Sequence, residues 1–407
     1  MPHHHSPAGI TAGLPTPRMI VEHLDRSVVG QDRAKRTLAV AVANHYVRLF
    51  DVLDRESVTP VVVDPGLRTV TIGKSNVLLI GPSGSGKTHL ARALAECLDV
   101  PFAVADATTL TEAGYVGEDV ESILHKLLLA AGMDVQVAQR GIVYIDEIDK
   151  LGGGRVHGAK DLRRGVQHAL LKMIEGTVAN VPPSGSYKVV GEPCVPFDTS
   201  QVLFICGGAF VGLEEVVARR LGRRAFGFDQ TGSASETETL DPLRHVSPED
   251  VEGFGLIPEL IGRLPVIATL DALGVDDLVR ILHEPKDSLI DHYRKLLMYR
   301  QARLEFTPGA IRAFAELAHQ RGTGARGLRA IVERALEPIL YDPEPWVNYR
   351  VTEESVRGEV VEVFRFSDLC VDEAAPPLRH RMAGRRGEAV QVDRNSRPVV
   401  RRRWTAS

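Results

Sequence analysis

The chain has 407 residues, 44% of them hydrophobic and 25% charged, with a formal net charge of −4. That length accommodates two or three domains with a sizeable core, and the slight acidity supplies no general attraction to nucleic acid or to anionic membranes. The four cysteines, Cys97, Cys194, Cys206 and Cys370, are scattered and form no C-x-x-C pair; this speaks against a structural zinc site or a disulfide framework and fits a reducing cytoplasm.

The opening MPHHHSPAGITAGLP has no basic stretch followed by an apolar one, so it does not read as a secretion signal. No apolar run is long enough to span a bilayer. Residues 1–16 read as a disordered tail, with His3, His4 and His5 as part of it rather than as a metal site. Helical periodicity occupies 17–50, and 54–75 is polar with turn signals. From Asn76 onward, short apolar runs alternate with helical stretches: NVLLI (76–80), FAVAD (102–106), IVYID (142–146), VLFIC (202–206) and PVIATL (265–270). Such runs predict a parallel sheet covered on both faces by helices. Apolar stripes at Leu90, Leu94, Cys97, Leu98 and at Val166, Leu170, Met173, Ile174 mark two of those helices. The large domain is expected over 17–270. Helical pattern dominates after about 271 and predicts a small, mainly helical domain over 271–374. The tail 375–407 carries nine Arg and one His against Glu388 and Asp393 and is expected to be disordered.

The eight residues GPSGSGKT (81–88) follow a predicted strand and open a predicted helix, the context a P-loop requires. Gly81, Gly84 and Gly86 let backbone N–H groups close on phosphate oxygens, and Pro82, Ser83 and Ser85 complete the loop without obstructing them. Lys87 is placed to reach the β and γ phosphates of ATP, and Thr88 to offer its hydroxyl to Mg²⁺. Downstream, the apolar strand in GIVYIDEIDK (141–150) ends in an acidic pair. Asp146 suits the metal's hydration shell, and Glu147 suits polarisation of the attacking water. A metal ligand beside a water-activating carboxylate implies hydrolysis rather than binding alone. A phosphoryl-transfer site also gains from a cation supplied by a neighbouring domain or subunit; Arg263 in GLIPELIGRLP (255–265) and Arg326 in GTGARGLR (322–329) are such cations only by family resemblance, since an isolated Arg is ordinarily a surface residue.

These blocks, together with VVGQDRAK (28–35), DVPFAVADATTLTEAGYVGEDVES (99–122), ALLKMIEGT (169–177), FICGGAF (204–210) and ILHEPK (281–286), are long, ordered and consistently spaced over about 14–345. The sequence resembles the ClpX family of AAA+ protein-unfolding ATPases, which feed the ClpP protease. The resemblance implies an α/β fold, a P-loop NTPase αβα sandwich followed by a small helical lid domain, assembled as a homohexameric ring. It implies that Val29 contacts adenine, that Arg263 acts as a finger on the next subunit's nucleotide, and that Arg326 senses nucleotide from the lid. It also implies that Tyr115 and Val116, in the glycine-flanked stretch EAGYVG (112–117), line the ring pore and grip translocating protein substrates.

Several departures accompany the likeness. No cysteine quartet precedes the P-loop, so the family's N-terminal zinc-binding domain is expected to be missing. A second pore loop, GAKDLRRGVQ (158–167), is shorter and more basic than the family pattern, and SGSYKVVGEP (184–193) has only Lys188 where the family has a basic triplet. The protease-docking loop offers Phe226, Gly227 and Phe228 in AFGFD (225–229) instead of a tripeptide starting with Ile or Leu. Cys206-Gly207-Gly208 stands where most AAA+ proteins place a polar water-positioning residue, which leaves that role without an owner. An ATP-driven unfoldase feeding a ClpP-type peptidase is the reading these features favour. The alternatives are a stand-alone remodelling chaperone, a nucleotide-gated binding protein, which Glu147 and Arg263 oppose, and a helicase, which the acidic charge and Tyr115-Val116 oppose.

Overall fold

The computed structural model describes residues 14–55, 64–111, 118–152, 159–182, 194–225, 242–358, 360–365 and 400–403. Two compact units divide the chain, Met1–Ala272 and Leu273–Ser407.

All five apolar runs of the first unit are strands: β1 (Val77–Ile80), β2 (Phe102–Asp106), β3 (Ile142–Asp146), β4 (Leu203–Gly208) and β5 (Val266–Thr269). They form one parallel sheet in the order β2-β3-β4-β1-β5. Because successive side chains point to opposite faces, each run divides between two cores. Val77, Leu79, Ile142, Tyr144, Leu203 and Ile205 pack on one face with Ile20, Leu24, Leu38, Leu90 and Leu94 from helices Pro17–Leu24, Asp32–Arg55 and Lys87–Leu98. Leu78, Ile80, Val143, Ile145, Phe204 and Cys206 pack on the other with helices Ser122–Ala130 and Ala159–Glu175. This is the expected αβα sandwich, and it explains why the strands read as unbroken apolar runs. The predicted helix over 17–50 is two helices. The first is capped by the Thr16 side chain, which accepts from the Met19 N–H.

β1 occupies the interior of the sheet, between β4 and β5. Its C-terminal end is therefore bordered by a neighbouring strand on either side, where open α/β sheets place their ligands.

The second unit buries its own core. Leu278, Leu282, Ile290, Leu297, Phe314, Leu328, Val332 and Leu336 converge from helices Val275–His283, Leu289–Met298, Pro308–Gln320 and Ala325–Tyr341. The first two helices split the run LVRILHEPKDSLIDHYRKLL at Pro285, which cannot continue a helix interior. The unit is mainly helical, but it also contains a four-stranded sheet that the periodicity did not predict. Arg303–Phe306 pairs in parallel with Val347–Val351, which pairs antiparallel with Val360–Arg365, and that strand pairs antiparallel with Val400–Arg403. The last of these strands falls inside the segment expected to be a disordered basic tail. Most of these strands are only four or five residues long, and one partner arrives about 40 residues after the other, so no local repeat announces them.

Candidate active site

The P-loop joins β1 to helix Lys87–Leu98 at the C-terminal edge of the sheet. Its entry is tightly packed. The Gly81 N–H donates to the Gly208 carbonyl at 3.2 Å, and a Cβ on Gly81 would lie 2.8 Å from the Leu270 carbonyl oxygen. Gly84 (φ 79°) and Gly86 (φ 96°) adopt the left-handed backbone that glycine tolerates best. Gly86 is the N-cap of the helix and offers no side-chain cap, and a Cβ built there would meet only open space. The first N–H groups of the helix thus face outward, with the positive end of the helix dipole behind them, a cradle that fits phosphate. The Lys87 ammonium donates to the Gly81 carbonyl at 2.7 Å and to the Pro82 carbonyl at 3.0 Å, which holds it at the mouth of the loop.

The acidic pair lies beside this cradle. The Thr88 hydroxyl donates to Asp146 Oδ2 at 3.1 Å. Asp146 Oδ1 accepts from the Glu147 N–H at 3.0 Å and from the Tyr144 hydroxyl at 3.1 Å. A hydroxyl and a carboxylate side by side, both half-buried, form an oxygen donor set suited to a hard divalent cation such as Mg²⁺. Glu147 has φ 55° and ψ 32°, a left-handed conformation uncommon for a side-chain-bearing residue. Such a backbone costs on the order of 1–3 kcal/mol and is concentrated at functional sites; here it ends β3 abruptly.

Val29 is buried on the loop between the first two helices. Two contacts bind that loop to the P-loop region: a His89 Nε2 contact with the Ser27 carbonyl at 3.0 Å, and Gln31, whose amide donates to the Ser85 carbonyl at 3.4 Å and to the Asp271 carbonyl at 2.9 Å. Gln31 Oε1 in turn accepts from the Asp271 N–H at 2.9 Å. Sequence reading missed Gln31, although it lies in the quoted block VVGQDRAK; its role depends on a partner 240 residues away. Tyr144 was missed too. There a signal was present, since the single aromatic in IVYID stands two residues before Asp146 and so on the same strand face.

Arg263 is somewhere else. It is the C-cap of helix Pro258–Gly262, three residues before β5 starts. Its backbone carbonyl accepts from the buried Asn76 amide at 3.1 Å, one residue before β1 starts. It therefore stands at the N-terminal edge of the sheet, opposite the P-loop of its own chain. Its guanidinium pairs with Glu175 Oε1 at 2.7 Å, with the side chain 56% exposed. Arg326 is exposed in the first turn of helix Ala325–Tyr341 of the second unit. Tyr115 and Val116, and Phe226, Gly227 and Phe228, lie outside the described residues.

Burial pushes the Cys206 thiol up to about 12, so it is an inert neutral group. Among the described residues, no cluster of three or more His, Cys, Asp or Glu could hold a metal ion, and no helix is long and apolar enough to cross a membrane.

A P-loop at the end of an interior strand, beside an Asp-Glu pair where β3 ends, defines a P-loop NTPase. The model of the AAA domain (Cdc48 subfamily) matches residues 73–267, and that of the C-terminal D2-small domain of ClpB matches residues 273–343. The chain is 49% identical over 333 residues to the ATP-dependent Clp protease ATP-binding subunit ClpX of Borrelia duttonii (strain Ly), covering 81% of this chain and 75% of the relative. It is equally similar, over the same shares, to that of Borrelia recurrentis (strain A1). Against the ClpX of Treponema denticola it is 47% identical over 340 residues, or 83% of this chain and 79% of the relative. The chain belongs to the ClpX family of ATP-binding, ATP-hydrolysing subunits.

Proposed function

We propose that this chain is a cytoplasmic, ATP-driven protein unfoldase and translocase, working as a homohexameric ring that threads polypeptides through its pore and delivers them to a ClpP-type peptidase. One observation carries the reading. The P-loop and the Asp146-Glu147 pair face each other at one edge of the sheet, while Arg263 is held at the opposite edge. A chain so built offers its arginine to a site other than its own, which is what a ring of identical subunits supplies. The relatives' shared name, ATP-binding subunit of the ATP-dependent Clp protease, supports the delivery step.

Within each site, Lys87 and the loop N–H groups bind the phosphates, and Val29 lies against the adenine. Thr88 and Asp146 hold Mg²⁺, which when bound neutralises charge on the phosphate oxygens. Glu147 orients the attacking water and accepts its proton. Arg263 of a neighbouring subunit exchanges Glu175 for the transferred phosphoryl group, and Arg326 reports nucleotide state from the second unit. Tyr115 and Val116 grip the substrate by apolar contact, and Phe226-Gly227-Phe228 docks the peptidase. Neither nucleic acid nor a membrane is a partner in this reading.

The test combines the chain, a ClpP-type peptidase, ATP and a stably folded fluorescent substrate that the ring engages. Fluorescence is expected to disappear only with ATP. Tyr115→Ala is expected to keep ATP hydrolysis and lower unfolding by at least about tenfold, given the loss of a large apolar contact. Equal unfolding by Tyr115→Ala and the parent would remove the pore assignment. Unfolding without added proteolysis would leave a stand-alone remodelling chaperone in place of the delivery reading.

A further inference from the structure

The position opposite Asp146 on the neighbouring strand is a glycine. β3 and β4 run in parallel with Tyr144 beside Ile205 and Ile145 beside Cys206, so the register brings Gly207 level with Asp146. A side chain at 207 would enter the site from β4. None can, because that space is filled from β3. A Cβ on Gly207 would overlap the Tyr144 hydroxyl and come within 2.8 Å of the tyrosine Cζ. The ring of Tyr144 is fully buried in the core beneath the sheet, and its hydroxyl emerges where it donates to Asp146 Oδ1 at 3.1 Å. The Thr88 hydroxyl donates to the other oxygen of the same carboxylate, Asp146 Oδ2, at 3.1 Å.

We infer that Tyr144 is a positioning residue of the ATPase site: its hydroxyl, standing in the slot vacated at Gly207, orients the Asp146 carboxylate for the metal. The inference rests on the proposed reading of Thr88 and Asp146 as the residues that hold Mg²⁺. Without the phenol, Oδ1 keeps one donor of its two, the Glu147 N–H, and Oδ2 keeps the Thr88 hydroxyl, so the carboxylate is held less tightly in a productive orientation. The glycine is part of the device, since any β-carbon at 207 drives the hydroxyl off Asp146. Partners that orient a metal ligand are worth roughly tenfold to a hundredfold in metal affinity or activity.

The experiment measures binding of a slowly hydrolysed fluorescent ATP analogue to the full chain while Mg²⁺ is titrated, beside the affinity in EDTA and the thermal midpoint. Tyr144→Phe keeps the ring and removes only the hydroxyl. It is expected to raise the Mg²⁺ half-saturation by about tenfold or more, with metal-free affinity unchanged and ATP turnover lowered. Gly207→Ala is expected to lower the thermal midpoint as well. Adding Tyr144→Phe to it should recover only part of the midpoint, because the overlap with the hydroxyl is gone while the ring Cζ remains 2.8 Å from the new Cβ, and should not recover the Mg²⁺ half-saturation, because the donor is gone. An unchanged Mg²⁺ titration in Tyr144→Phe, or loss of metal-free affinity and thermal stability in its place, overturns the inference. Asp146→Asn serves as the control for the underlying reading: if its Mg²⁺ titration is unchanged, the metal assignment itself fails, whatever Tyr144→Phe does.

Discussion

The two edges of the central sheet solve opposite problems with polar groups. At the C-terminal edge, Thr88, Tyr144 and Asp146 hold one another, and the helix N–H groups behind Gly86 are left facing outward. At the N-terminal edge, Lys74, Arg48 and Asn76 each donate to backbone carbonyls. The Lys74 ammonium donates to the carbonyls of Ile174 at 3.1 Å and Thr199 at 3.0 Å, closing the end of helix Ala159–Glu175, and lies 4.8 Å from the centre of the Phe204 ring. Arg48 donates to the Ser200 carbonyl at 2.8 Å. Asn76 accepts from the Phe204 N–H at 3.2 Å and donates to the Arg263 carbonyl. Burial, with Arg48 beside it, depresses Lys74 to about 7. One edge retains donors for a ligand; the other spends Lys74, Asn76 and one Arg48 nitrogen on backbone, leaves Arg48 Nη1 and both ring nitrogens of His45 buried without a hydrogen-bond partner among the described residues, and mounts Arg263. Polarity alone therefore does not mark the active edge; a phosphate-sized cradle at a helix N-terminus beside a carboxylate does.

The sharpest way to separate the edges is Glu147→Gln. It is expected to lower ATP turnover by at least about a hundredfold while leaving nucleotide affinity and unfolding midpoint unchanged, since on the proposed reading only the proton acceptor is lost. Steady-state hydrolysis beside analogue binding checks it, and turnover within a few-fold of the parent would remove Glu147 as the water-orienting base.

Asn76→Ala probes the other edge. It strands the Phe204 N–H and the Arg263 carbonyl in a fully packed setting, and should cost about 2–3 kcal/mol in denaturant unfolding. Nucleotide affinity should hold, because the P-loop is a strand-length away. On the proposed ring reading, turnover should fall more than affinity, because Arg263 loses its mount. An affinity loss equal to the stability loss would merge the two edges into one unit and end the comparison.

The smallest effect concerns pH. Burial first, then the charges of Arg48 and Lys74, lowers His45 from 6.5 to about 3. Between those values the unfolded chain holds a proton that the folded chain refuses. Stability therefore falls as pH drops through that window, by at most about 1.4 kcal/mol per pH unit from this group, and is flat with respect to it above 6.5. Denaturant midpoints of the parent should decline from pH 6.5 to 4.5 more steeply than those of His45→Leu; parallel curves would remove His45 as the cause.

Sequence alone determined the parts of this protein whose information is local. Five apolar runs ending at the sheet's C-terminal edge, the eight-residue P-loop and the Asp146-Glu147 pair are each written within a few adjacent residues, because strand period, glycine permissiveness and motif spacing act over that range. The tertiary structure decided the rest. It set Arg263 on the edge opposite its own P-loop, brought Gln31 against Asp271, and slid the Tyr144 hydroxyl into the gap at Gly207. It also assembled the second unit's sheet from strands separated by a whole pair of helices. The physical reason is common to all four. Each depends on strand register or chain crossing between residues far apart in sequence, and neither periodicity nor composition encodes which distant backbone a side chain will meet.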